Sequence, residues 1–64
     1  MFENALRTHV GEPVEVITPL EMTAGVLMSV SEGSVTVRTP GVGYGNPKDV
    51  AIPTNSIAYV RLFT

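Results

Sequence analysis

The sequence predicts a mainly β fold: a short N-terminal helix followed by a five-stranded, strongly bent antiparallel sheet that closes into a small barrel. Three observations predict it. Apolar residues recur at helical spacings of three and four at the start of the chain, at Phe2, Ala5, Leu6 and Val10. Beyond Pro13 the apolar residues, many of them β-branched, come instead in short runs that largely alternate with polar ones. The breaks between these runs are of hairpin length, with 40–47 the one longer interruption.

The helical stripe is too short to hold in water alone and must dock, on one open end of the barrel or on a neighbouring subunit, with Gly11 ending it. Pro13 opens the first strand, 14–18, in which Val14 and Val16 face one way and Glu15 and Ile17 the other. An apolar Ile17 on the outer side predicts that this side is also partly covered, by another chain for instance. Pro19, Leu20 and Glu21 have the chemistry of a tight connection.

The long hairpin 23–39 is the centre of the fold. Its alternation places Ala24, Val26, Met28 and Val30, then Val35 and Val37, on the core face, and makes Gly25 the expected bend. Ser31 to Ser34 form the turn, with Gly33 the residue suited to positive φ. The stretch 40–47 reads as a loop, 50–52 as a short strand, 53–56 as a tight turn and 57–62 as the last strand. Ile57 and Tyr59 lie on one side of that strand and Ala58, Val60 and Leu62 on the other, the pattern of a strand buried twice.

A chain of 64 residues has room for one domain, a helix over 1–10 and a barrel over 13–63. Folding at this size buries only about 60% of the surface the unfolded chain exposes, so small domains take support from disulfides, metals or association. The chain has no cysteine, and His9 is its single histidine, without a spaced partner, so no metal or cofactor site is expected. Association remains. The 44% hydrophobic and 16% charged fractions favour it, because few charges are left to solvate a small surface.

The net charge of -2, from six acidic and four basic residues, is not that of a general nucleic-acid binder. No apolar run approaches the roughly 20 residues that cross a bilayer, so no membrane partner is expected. The start MFENALR lacks a basic n-region followed by an apolar h-region, and a leaderless product made in the cytoplasm is the expectation.

No catalytic constellation is found, and neither an enzyme nor a small-molecule substrate is expected. Glu12 and Glu15 are three apart in an extended segment and so point to opposite faces. His9 stands beside Thr8 with no nucleophile in view. Gly41, Gly43 and Gly45 follow a strand without leading into a helix, so they do not form a phosphate loop.

Particular residues carry a family resemblance. Leu6, then His9 to Val16, looks like the start of the first Sm motif, where a helix leads through a glycine into a strand of alternating valines. Gly25-Val26-Leu27 resembles that motif's glycine in the long bent strand, and Val35-Thr36-Val37 its third strand. Ile52 to Val60 resembles the second Sm motif, two short strands joined by a tight turn. The chain thus resembles the Sm-like (LSm) family of small SH3-type barrels over nearly its whole length. In flavour it is similar to the short Sm-like domains of Bacillus-type spore-associated and spore-coat proteins, which implies a structural or surface-layer role and deposition in a spore coat or surface structure.

The departures also bear on function. RNA-binding Sm proteins carry an aspartate and an asparagine in the turn after the bent strand, and an arginine and a glycine in the second motif. Here those regions read Ser31-Glu32-Gly33-Ser34 and Pro53-Thr54-Asn55-Ser56.

Two functions follow as expectations. In the favoured one the barrel is a structural module whose edge strands pair with further copies into a ring or filament, with Phe2, Leu6, Val35, Val37, Ile57, Tyr59, Val60 and Leu62 at the subunit contacts. In the other, a ring binds RNA as a riboregulator or RNA chaperone. Arg7, Arg38, Lys48 and Arg61 would then form a basic circle, with Tyr44, Asn55, Arg38 and Arg61 as contacts and Tyr44 or Tyr59 stacking on bases. Against the second stand the excess of acidic residues and the missing recognition residues. Asparagine in a tight turn more often serves the turn, and a loop like that around Tyr44 is more often a connector.

Overall fold

The computed structural model describes residues 2–40 and 45–63. Helix α1 (Phe2–Arg7) is followed by β1 (Pro13–Ile17), β2 (Met22–Ser31), β3 (Ser34–Thr39), β4 (Lys48–Pro53), a 3-10 turn over Thr54–Ser56, and β5 (Tyr59–Leu62). The strands form one antiparallel sheet in the order β4-β3-β2-β1-β5. The sheet does not close into the expected barrel: β4 and β5 are its two edges, and no pairing joins them among the described residues.

The connection from β4 to β5 explains the curl of an open sheet. Strands about 4.8 Å apart would put the edges of a flat five-stranded sheet about 19 Å from each other. From Pro53 to Tyr59 the chain spends three residues in a 3-10 turn, rising about 2 Å each, and reaches about 17 Å at most. The sheet therefore wraps one face inward. The same turn delays the last strand, which starts at Tyr59 rather than at residue 57.

That inward face is the core. Val14 and Val16 of β1, Leu27 of β2, Val35 and Val37 of β3 and Ile52 of β4 are buried together with Leu6 of α1, and Val30, Val50, Ile57 and Val60 pack against them. Register accounts for the selection, since Leu27 lies opposite Val37, Val35 opposite Ile52, and Val16 opposite Val60. Side chains opposite each other share a face.

The phase of β2 differs from the sequence expectation. Ala24 and Val26 are exposed, while Leu27 is fully buried. The β2/β3 register shifts between Leu27 and Ser29, so Met28 is an extra residue and the strand changes face across it. Val30 returns inward opposite Val35, as its alternation predicts.

Helix α1 docks on its own sheet through Leu6, and the Arg7 Nε donates to the Val30 carbonyl oxygen at 3.1 Å. It stops at Arg7, and Val10 is 47% exposed, so the expected stripe does not extend that far. Gly11 ends this segment with a φ of 94° and donates its N–H to the Leu27 carbonyl at 2.7 Å. Gly33 likewise has positive φ in the β2–β3 turn, and β3 spans the residues its composition predicts.

Candidate functional site

The features that could meet a partner are the two free sheet edges and the apolar surface beside them. On β4 the alternation of the ladder can be followed from one bond. Thr54 donates its N–H to the Gly33 carbonyl at 3.0 Å, and Thr54 and Gly33 continue the β3/β4 register. Hydrogen-bonded and non-bonded pairs alternate in an antiparallel ladder, so Ile52, Val50 and Lys48 bond to β3. The N–H groups of Ala51 and Asp49 point outward instead. Pro53 occupies the next outward position and offers no donor.

The other edge, β5, is short and little guarded. Monomeric proteins protect edges with charge, proline or bulges, and of Tyr59, Val60, Arg61 and Leu62 only Arg61 is charged. Tyr59, Leu62 and the following Phe63 are exposed apolar side chains. Tyr59 faces outward opposite Ile17, which in turn lies opposite Met22. Ile17 on the outer face is thus flanked by Tyr59 and Met22 of its own chain.

The residues expected at subunit contacts divide into two groups. Leu6, Val35 and Val37 have their side chains in the chain's own core, with Val35 and Val37 on the face their alternation predicts, and this corrects their placement at a subunit contact: β3 is an interior strand between β4 and β2, not an edge. Ile57 and Val60 are half-buried against that core, while Tyr59 and Leu62 are exposed. The Phe2 side chain lies outside what is described, as does Tyr44. Phe63 follows β5 as one more exposed apolar group, and the free donors of β4 were not found from sequence, which placed the edge-to-edge contact on the last strand and not on β4.

Of the residues expected to contact RNA, Asn55 is exposed in the 3-10 turn, which closes through the Ile57 N–H and the Thr54 carbonyl at 3.2 Å. The two arginines are engaged with carboxylates. Arg38 Nε donates to Asp49 Oδ1 at 2.8 Å and Nη2 to Oδ2 at 3.3 Å, tying β3 to β4. This hydrogen bonding holds the Asp49 carboxyl below its ordinary value and raises Arg38. Arg61 lies 3.5 Å from Glu15, its register partner on β1. Arg7 is held by the Val30 carbonyl and by Asn4 Oδ1, at 2.6 Å. Lys48 is the cation left without a side-chain partner among the described residues.

His9 Nδ1 and Glu12 Oε1 are 3.0 Å apart. Among the described residues no three His, Cys, Asp or Glu side chains gather into a metal site, and no helix is long and apolar enough to cross a membrane. A scan against protein-family models, a search of curated proteins and a search of solved structures each found no significant match.

Proposed function

We propose that the chain is a structural, non-catalytic self-assembly module of the Sm-like type, in which β4 of one copy pairs with β5 of the next to build a ring or a filament. The observation that carries this reading is the pair of unpaired edges at opposite ends of one sheet. A strand added to β4 meets the outward N–H groups of Ala51 and Asp49, and β5 supplies a short strand that carries Tyr59 and Leu62 and is followed by Phe63. Because the two edges are different surfaces of the same chain, the contact is heterologous, and it closes or propagates according to the rotation it imposes.

The Sm-like assignment draws its support from the motif residues, from the order of one helix and five strands, and from a long second strand that carries both a glycine and a register shift. A place in a spore coat or surface layer comes from the resemblance alone. Negative-stain imaging of the purified protein tests the reading, which expects rings or filaments of uniform width. A field of featureless particles of monomer size would overturn it.

A further inference from the structure

We propose that a second copy of the chain also binds end to end, seating its Leu20 in an apolar cleft at the far end of the β1–β2 hairpin. Leu20 is 95% exposed at the tip of the turn between β1 and β2. Hydrogen bonds brace the turn: the Thr18 N–H donates to the Glu21 carbonyl at 2.9 Å, the Glu21 N–H to Thr18 Oγ1 at 3.2 Å, and the Thr18 hydroxyl to the Glu21 carbonyl at 3.1 Å. Because the backbone of the turn is already braced, covering Leu20 costs the rotamer freedom of its side chain but little further backbone freedom.

At the opposite end of β1, where Pro13 enters the sheet, lies a cleft of about 430 Å³ lined by Pro13, Val14, Val26, Arg38 and Phe63 among others. It is roomy enough for a leucine side chain, and its walls are mostly apolar. Charge complements shape. Glu21 follows the leucine at the tip, and Lys48 follows the cleft-lining Pro47 in the chain and pairs with the cleft-lining Thr39. Neither charge has an ion-pair partner among the described residues, and seating Leu20 brings the carboxylate towards the ammonium group.

Each copy carries one knob and one cleft, at opposite ends of the hairpin, so the contact repeats head to tail along the strands. Edge pairing instead adds copies across them. The two contacts are independent, and either can exist alone.

The test uses the full chain with β4 blocked by Ala51→Pro, so that edge pairing is removed, and reads association by sedimentation velocity. The proposal expects residual head-to-tail association, weakened at least about tenfold by Leu20→Ser, the effect of no longer burying a leucine. Val26→Trp, which fills the cleft, should weaken it similarly. Mixing these two variants should restore a 1:1 dimer, since one retains the knob and the other the cleft. Glu21→Lys should weaken association, and adding Lys48→Glu should recover it. Absence of a dimer in the mixture, or association indifferent to both Leu20→Ser and Val26→Trp, would overturn the proposal. Association of the otherwise wild-type chain that is unmoved by Ala51→Pro yet lost in Leu20→Ser would instead overturn edge pairing.

Discussion

Gly25 of β2 lies directly against the backbone of Arg38 on β3. A Cβ built on Gly25 would overlap the Arg38 carbonyl oxygen and stand 2.8 Å from its carbon and 3.0 Å from Val37 Cγ1. The glycine is required by this close approach, and not by a left-handed φ. The obstacle is backbone within a ladder, which cannot turn aside as a side chain can.

Gly25→Ala should therefore destabilise the fold by about 1 to 3 kcal/mol, as overpacking does, and lower the melting temperature by roughly 5 to 20 °C for a domain of this size. Gly33→Ala meets open space and should cost only about 1 to 2 kcal/mol, from its positive φ. Calorimetry of the two variants checks this, with Ala24→Ser as a neutral neighbour on the exposed face.

The register shift at Met28 makes a second prediction. Leu27→Ala removes a fully buried side chain and should cost about 2 to 5 kcal/mol, enough to unfold much of a domain whose whole stability is of order 3 to 10 kcal/mol. Val26→Ala, one residue earlier on the exposed face, should cost well under half as much. Urea unfolding of the pair reads the phase of β2 directly, and the reverse order would place the core on the other face.

Acid should weaken the link between β3 and β4. The Asp49 carboxyl is held below its ordinary value of 3.8 by the hydrogen bond from Arg38. A depressed carboxylate contributes stability above its unfolded value, and that contribution disappears as pH falls through the lower folded value. The pair is exposed, so the effect is small and salt-sensitive. Asp49→Asn should remove this part of the pH dependence below about pH 4 while leaving stability at pH 7 nearly unchanged, as followed by thermal melts across the acid range.

A labelled oligo-U or oligo-A should not bind at low salt. Three of the four cations are occupied by carboxylates or by carbonyl oxygens. Fluorescence anisotropy reads this, and salt-dependent binding would revive the RNA-binding ring.

Much of the fold was legible in the sequence because its turns carry distinctive chemistry. Gly11 and Gly33 sit where positive φ is needed, Thr18 to Glu21 close a tight connection, and β3 reads as a clean alternation through Val35 and Val37. The phase of β2 was not legible. Val26-Leu27-Met28 is an unbroken apolar run that fits either face, and the one extra residue that decides between them leaves no mark in composition. Closure of the sheet, and hence which strands are edges, depends on long-range geometry that local pattern does not contain. For the same reason Val35 and Val37, which the alternation correctly places in the core, read also as contact residues.

In the proposed assembly, copies meet through the edges of β4 and β5. The solution mass of Leu20→Ser by light scattering, with and without Ala51→Pro, reads this pairing with the end-to-end contacts absent. That proline removes one outward donor from β4 and none that bonds to β3. Leu20→Ser should have a mass that is a multiple of 6.8 kDa and the double variant a mass of 6.8 kDa, with both folded by circular dichroism. A mass of 6.8 kDa for Leu20→Ser at millimolar concentration, or a double variant that still assembles, would overturn edge pairing.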